Sequence, residues 1–238
     1  MPDSFMRLQK QTSIIFKNIF TGCIILFGVF FLTQCKKEAK APIDLKKGYF
    51  PLKLNSVIIY DVDSTIYDDF SSQKTQYLFE LKDIAVSEIP ETAGRKTFLF
   101  ERYKRKNNEE WIFQRAFTRT LIDLRGEEFL DNQRFVRLIF PPEKDKRWNG
   151  NTYNNIGYQE YFFTDANISQ TINSIAFDST VIIKQIDEFN AIREDYASET
   201  YANHIGLVKR EIKGITKDFF TGEIKKGLIY KMQVKSYE

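Results

Sequence analysis

From Tyr49 to the end of the chain, apolar and polar residues alternate with the two-residue period of a strand far more than with the 3.6-residue period of a helix. The last segment shows it best. Leu228, Tyr230, Met232 and Val234 fall on one face, and Ile229, Lys231, Gln233 and Lys235 on the other, as in a sheet with one wet side. Tyr77, Phe79 and Leu81 alternate against Gln76, Glu80 and Lys82, and Trp111, Phe113 and Phe117 against Gln114 and Thr118. Further strands are expected over Val57–Val62, Thr97–Arg105, Arg134–Phe140, Tyr158–Phe163, Val181–Ile186 and Leu207–Ile212. Breakers separate them, among them Asn107-Asn108, Gly126, Pro141-Pro142, Asn149-Gly150, Gly206 and Gly227. Asn149-Gly150 reads as the strongest hairpin turn, because both residues tolerate positive φ. Two stretches also fit a helical period. Ile168, Ile172 and Ile175 could follow a cap at Asp165, and Phe189, Ile192 and Tyr196 match a strand equally well.

The expected architecture is therefore all-β and mainly antiparallel: a single curved sheet or half-open barrel with one or two short helices, and aromatics on its concave side. The 22 Phe and 12 Tyr, against three Met, favour strands over helices.

The front of the chain follows a different pattern. Arg7, Lys10 and Lys17 lead into 14 residues, Ile19 to Leu32, which are mostly apolar and end at Leu32-Thr33-Gln34-Cys35. That block suits the core of an export signal and is shorter than the ~20 residues of a free-standing membrane helix. The closing tetrapeptide resembles the lipobox of bacterial lipoproteins, with Gln34 where a small residue is usual. The resemblance implies cleavage before Cys35 and its modification by a diacylglycerol-type anchor with an amide-linked chain. The organisation expected is a signal over 1–35 ending at the lipidated Cys35, a charged tether over 36–48, and one β domain over 49–238. Lys36-Lys37 is not an acidic inner-membrane retention pair, so the outer membrane is the expected address, on either its periplasmic or its surface face.

Removing the signal changes the charge balance. Residues 1–35 hold three of the 35 Lys+Arg and one of the 32 Asp+Glu, leaving 32 positive and 31 negative charges on the mature part. A near-neutral chain offers no basis for nucleic-acid binding. With Cys23 lost and Cys35 acylated, neither a disulfide framework nor a thiolate metal site is available.

Few residues offer chemistry. Ile58-Ile59-Tyr60-Asp61-Val62-Asp63-Ser64-Thr65 resembles the first motif of haloacid-dehalogenase-type phosphatases, which implies Asp61 as nucleophile and Asp63 as acid/base with Mg²⁺. The later Gly-Asp turn of that family is missing, and the strand-rich body lacks its alternating strands and helices. In strand geometry Asp61 and Asp63 simply share a solvent-facing side. Asp61, Asp63, Asp68 and Asp69 lack the spacing and glycine of a Ca²⁺ loop. His204 is the single histidine, which precludes a multi-histidine zinc site. Trp111 and Trp148 could stack on a sugar or fill the core. Asp63-Ser64-Thr65 and Asp178-Ser179-Thr180 resemble a bacterial O-glycosylation acceptor, and Asn167-Ile168-Ser169 is an N-glycosylation sequon.

A broader resemblance spans most of the mature chain. It rests on Tyr49-Phe50-Pro51-Leu52 before Ile58–Ser64, then Phe135-Val136-Arg137-Leu138-Ile139-Phe140-Pro141 with Trp148-Asn149-Gly150-Asn151, then Tyr201-Ala202 through Gly206-Leu207-Val208-Lys209-Arg210-Glu211. These stretches look like a family of uncharacterised envelope lipoproteins of Gram-negative bacteria, with departures at Asn55 and Ile58. The resemblance implies lipidation and an extracytoplasmic all-β domain, and no activity. The function expected is a non-enzymatic, membrane-anchored lipoprotein that binds a partner protein or an apolar or lipid ligand. The alternative is a structural or assembly-accessory lipoprotein, with the Asp61/Asp63 hydrolase behind both. No cofactor or metal is expected, and no ligand-binding residue stands out.

Overall fold

Twelve strands follow one another with almost nothing else between them: β1 (Val57–Tyr67), β2 (Lys74–Ile89), β3 (Lys96–Arg105), β4 (Ile112–Ile122), β5 (Arg125–Leu130), β6 (Gln133–Ile139), β7 (Arg147–Asn149), β8 (Glu160–Ile172), β9 (Ile175–Phe189), β10 (Arg193–Ala202), β11 (Gly206–Lys217) and β12 (Ile224–Tyr237). The structure is a computed structural model that describes residues 44–71, 73–91 and 95–238. Among these the one helical element is a 3-10 turn at Lys47–Tyr49. Cys35 and the whole 1–35 segment lie outside the described residues, as does most of the 36–48 tether.

All strands form one antiparallel sheet in the order β6-β5-β4-β3-β2-β1-β12-β11-β10-β9-β8-β7. Every neighbour pair is a hairpin except β1 with β12, which brings the two ends of the domain together in the middle of the sheet. The outermost strands, β6 and β7, are consecutive in the chain, and the sheet curls until they nearly meet. Val136 N–H donates to Gly150 O over 2.8 Å, Trp148 Nε1 to Val136 O over 2.9 Å, and Asn154 Nδ2 to Arg134 O over 3.0 Å. The result is an almost closed barrel, which removes most of the exposed edge that an open sheet would carry. Register shifts bend the strands along the way, three of them between β8 and β9 alone.

The alternation expected for β12 holds: Met232 and Val234 are fully buried, opposite Val62 and Tyr60 of β1. Phe98, Phe100, Phe117, Leu138, Phe163, Val181 and Ile183 continue the interior around the sheet. Tyr49, Phe50 and Leu52, which precede β1, are buried against the same core. Tyr49 Oη bonds Asn167 Oδ1 at 2.8 Å, and His204 N–H donates to Gly48 O over 2.7 Å, so this lead-in is held at the β10–β11 turn end.

Both stretches open to a helical reading are strand. Ile168 and Ile172 lie in β8, with Ile175 opening β9; Phe189 ends β9 opposite Glu194, Tyr196 lies in β10 opposite Asp187, and Ile192 is in the turn between. In the first stretch bulges shift the inward parity and mimic a helical repeat, and in the second the spacing merely spans a turn. Asn149-Gly150 is not a two-residue turn. Asn149 ends β7, and its Oδ1 accepts from the N–H groups of Asn151 (3.0 Å) and Gln159 (3.1 Å), organising a longer loop to β8. Gly150 is needed there for space, since a Cβ would lie 2.4 Å from the Tyr161 ring.

Candidate functional site

Inward-pointing positions of a strand normally carry apolar residues, yet seven positions on this interior carry charge. Asp83 of β2 follows Leu81 and precedes Ala85 at two-residue spacing, Arg102 follows Phe98 and Phe100, and Arg119 follows Phe117. Glu128, Arg137, Glu199 and Arg210 add one charge each from β5, β6, β10 and β11. They form an alternating chain across the lumen. Arg102 grips Asp83 with two bonds of 2.6 and 2.7 Å. Arg119 reaches Asp83 at 3.8 Å and Glu128 at 3.2 Å. Arg137 reaches Glu128 at 3.0 Å and Glu199 at 3.6 Å, and Arg210 closes on Glu199 at 2.7 Å. Tyr201 Oη adds a bond to Glu199 at 2.7 Å, and Tyr60 Oη donates to Leu207 O at 3.0 Å.

Aromatic faces complete the enclosure. Phe100 and Phe117 stack at 5.4 Å between ring centres, and the Arg119 guanidinium sits 4.7 and 5.1 Å from those two centres. Burial alone would raise the carboxyl of Glu128, but Arg137 and Arg119 more than offset it and hold it far below the usual carboxylate range. Glu199 is likewise lowered, against its burial, by Arg210 and Arg137. Burial pushes the phenols of Tyr60 and Tyr201 up. The carboxylates are thereby held ionised and the phenols protonated near neutral pH. The arrangement is electrostatically dense. Its signal in the sequence is charge at an inward position two residues from apolar neighbours, as in Leu81-x-Asp83-x-Ala85, which the alternation of apolar residues alone does not reveal.

Hollows occur on the outside and rim of the described residues. One of about 580 Å³ is lined by Asp61, Asp63, Leu78, Glu80 and Lys231 among others. A second, of about 700 Å³, lies between the β1–β2 and β11–β12 turns. No member of the ion chain lines either.

Asp61 and Asp63 fall where strand geometry placed them, on the outer side of β1. Asp61 accepts from Asn173 Nδ2 at 3.0 Å and pairs with Lys235 at 3.5 Å, and both Asp63 oxygens accept from Gln76 Nε2. The sheet around them is antiparallel with no flanking helices among the described residues, so the phosphatase reading loses its scaffold. Among the described residues no group of three or more His, Cys, Asp or Glu is placed to hold a metal ion. His204 sits at φ 64 in the β10–β11 turn. Trp148 packs on Tyr161 and Phe163, which makes it a core residue. Trp111 lies under Lys82 and Arg105, at 4.6 and 4.4 Å. Ser64 is buried, while Ser179 Oγ lies 2.6 Å from Tyr49 Oη and bonds Asn167, so local structure occupies both glycosylation motifs around 167–180.

The apolar surface is concentrated at one end. Asp68 Oδ1 accepts from the N–H groups of Phe70 (2.8 Å) and Ser71 (2.9 Å). Asp218 Oδ1 accepts in the same way from Phe220 and Thr221, both at 2.9 Å. Each turn closes with a bond from the Asp N–H to the carbonyl five residues on, Gln73 or Glu223. The six-residue design is thus built twice on adjacent hairpins, and both copies put a phenylalanine at the apex: Phe70 is 102% exposed and Phe220 92%. Phe219 stands beside the second at 65%.

No protein-family model and no curated protein matches the chain. Among solved structures, a "putative lipoprotein" of Parabacteroides distasonis aligns over 80% of this chain and 98% of its own, at 10% identity and a TM-score of 0.38. An S-type phycobiliprotein lyase of Guillardia theta aligns over 82% and 95%, at 8% identity and 0.30. A "putative outer membrane lipoprotein-sorting protein domain" of Vibrio parahaemolyticus aligns over 81% and 88%, at 11% identity and 0.19. At these scores neither the chain's family nor its activity follows from them.

Proposed function

We propose that this protein is a membrane-anchored lipoprotein of the cell envelope, acylated on Cys35, which works without catalysis by contact between its outer surface and another envelope component. The anchor rests on the basic lead, the Ile19–Leu32 block and the Leu32–Cys35 lipobox resemblance. The contact reading is carried by one observation: the lumen, where a ligand-binding barrel would keep its cavity, is occupied by the Arg102–Asp83–Arg119–Glu128–Arg137–Glu199–Arg210 chain. Lys36-Lys37 favours the outer membrane. The near-neutral mature charge gives nucleic acid no purchase.

Fractionation of the native host, with mass analysis of the peptide carrying residue 35, tests the anchor. Wild type is expected in the membrane fraction with acyl groups on Cys35, and Cys35→Ala is expected to lose that mass and the processing at this site. A wild-type protein in the cytosol with residues 1–34 intact contradicts the proposal.

A further inference from the structure

Most of the exposed large apolar side chains among the described residues lie toward one end of the sheet. Strict antiparallel order puts the β1–β2, β3–β4, β9–β10 and β11–β12 turns at one end of the sheet and the β10–β11 turn at the other. At the first end stand Phe70, Ile112, Phe113, Phe189, Phe219 and Phe220, all exposed. Among the described residues, the exposed large apolar side chains at the opposite end are Leu54, Leu124 and Tyr237. Surface patches of this kind mark interaction sites.

We propose that this rim docks on a lipid bilayer, with Phe70, Phe219 and Phe220 entering its interfacial layer. The proposal rests on the reading that the protein acts through its outer surface, and it names the occupant. Three features favour a bilayer over a protein groove. The apolar groups are convex tips spread over four successive hairpins, a shape that meets a broad, yielding surface better than a cleft.

Several polar atoms at the tips are also already engaged. Asp68 and Asp218 spend one carboxylate oxygen each on two backbone N–H groups, Lys225 pairs with Asp218 at 2.8 Å, and Lys226 of one hairpin reaches Asp69 of the other at 3.6 Å. These pairings lower the desolvation penalty of entry into the interface. Finally, charge is balanced. Over residues 68–74 and 217–226, Asp68, Asp69, Asp218 and Glu223 stand against Lys74, Lys217, Lys225 and Lys226. Insertion is therefore driven by the aromatics and does not need anionic lipid.

The described chain begins at the far end, where Gly48 is bonded to the β10–β11 turn.

The test uses the full chain reconstituted in phosphatidylcholine liposomes, carrying Phe70→Trp or Phe220→Trp. Brominated phosphatidylcholine is placed either in the same liposomes or in a second, added population. Quenching and a blue shift of the new tryptophan, measured against the Trp111/Trp148 background, are expected in at least one arrangement. Binding of added liposomes should fall about tenfold for each of Phe70→Ser and Phe220→Ser, since each exposed phenylalanine contributes at least that factor when buried. It should be unchanged by added anionic lipid. Absence of quenching in both arrangements overturns the proposal. So does a photo-crosslinker at position 219 that captures a protein in native envelopes while the tryptophans stay unquenched. That last result would leave the contact reading standing and remove only the bilayer.

Discussion

Glu128 is the residue on which the interior balance turns, because it is the carboxylate shared by Arg119 and Arg137. A buried ion pair adds little over an apolar replacement, but removing one member strands the others. Glu128→Gln is therefore expected to cost about 3–5 kcal/mol in urea unfolding. The pH dependence has a definite sign. Glu128 and Glu199 have folded pKa values below the ordinary carboxylate range, held there by Arg137, Arg119 and Arg210 against the effect of burial. Their stabilisation is complete above the unfolded value of ~4.3 and is lost as pH falls below it toward the folded values. Glu128→Gln should flatten the stability profile in that acid window and leave the slope above pH 6 alone. A steep wild-type loss between pH 8 and 6 would contradict this. None of the seven charges was read from the sequence as interior, because Asp83 or Arg119 alone looks like any solvated strand charge. Only the partner strands, brought together over long sequence distances, show what each faces.

At the scale of elements the sequence was more informative. The inward positions of β12 and β1 follow directly from alternation, since a one-residue slip would exchange wet and dry faces. Bulges defeated the same logic in β8 and β9, where the shifted parity resembled a helix. The short strands β5 and β7 carry too few residues for a period to declare itself. Gly227 shows how backbone constraint enters. It lies at φ 136 where β12 pairs with both β1 and β11, and a Cβ there would lie 2.1 Å from Gly214 O. Gly227→Ala should destabilise by more than about 1 kcal/mol, with the β11–β12 hairpin losing amide-exchange protection first. Uniform exchange throughout the sheet would show that the hairpin is not separately tied.

Over the described residues the molecule is a curved antiparallel sheet whose two outermost strands, β6 and β7, are stitched by Val136, Trp148 and Asn154. All-β class and strong curvature were legible from strand spacing and aromatic content. Filling of the lumen by charged side chains was not, although the aromatics expected on the concave side are there, with Phe100 and Phe117 packed against Arg119. The most direct measurement is native mass spectrometry of the protein isolated from its host in a non-denaturing detergent, compared with the same sample denatured. An occupied interior predicts equal masses, with covalent modification alone above the polypeptide. A one-per-chain small molecule present in the native spectrum and lost on denaturation would contradict the account.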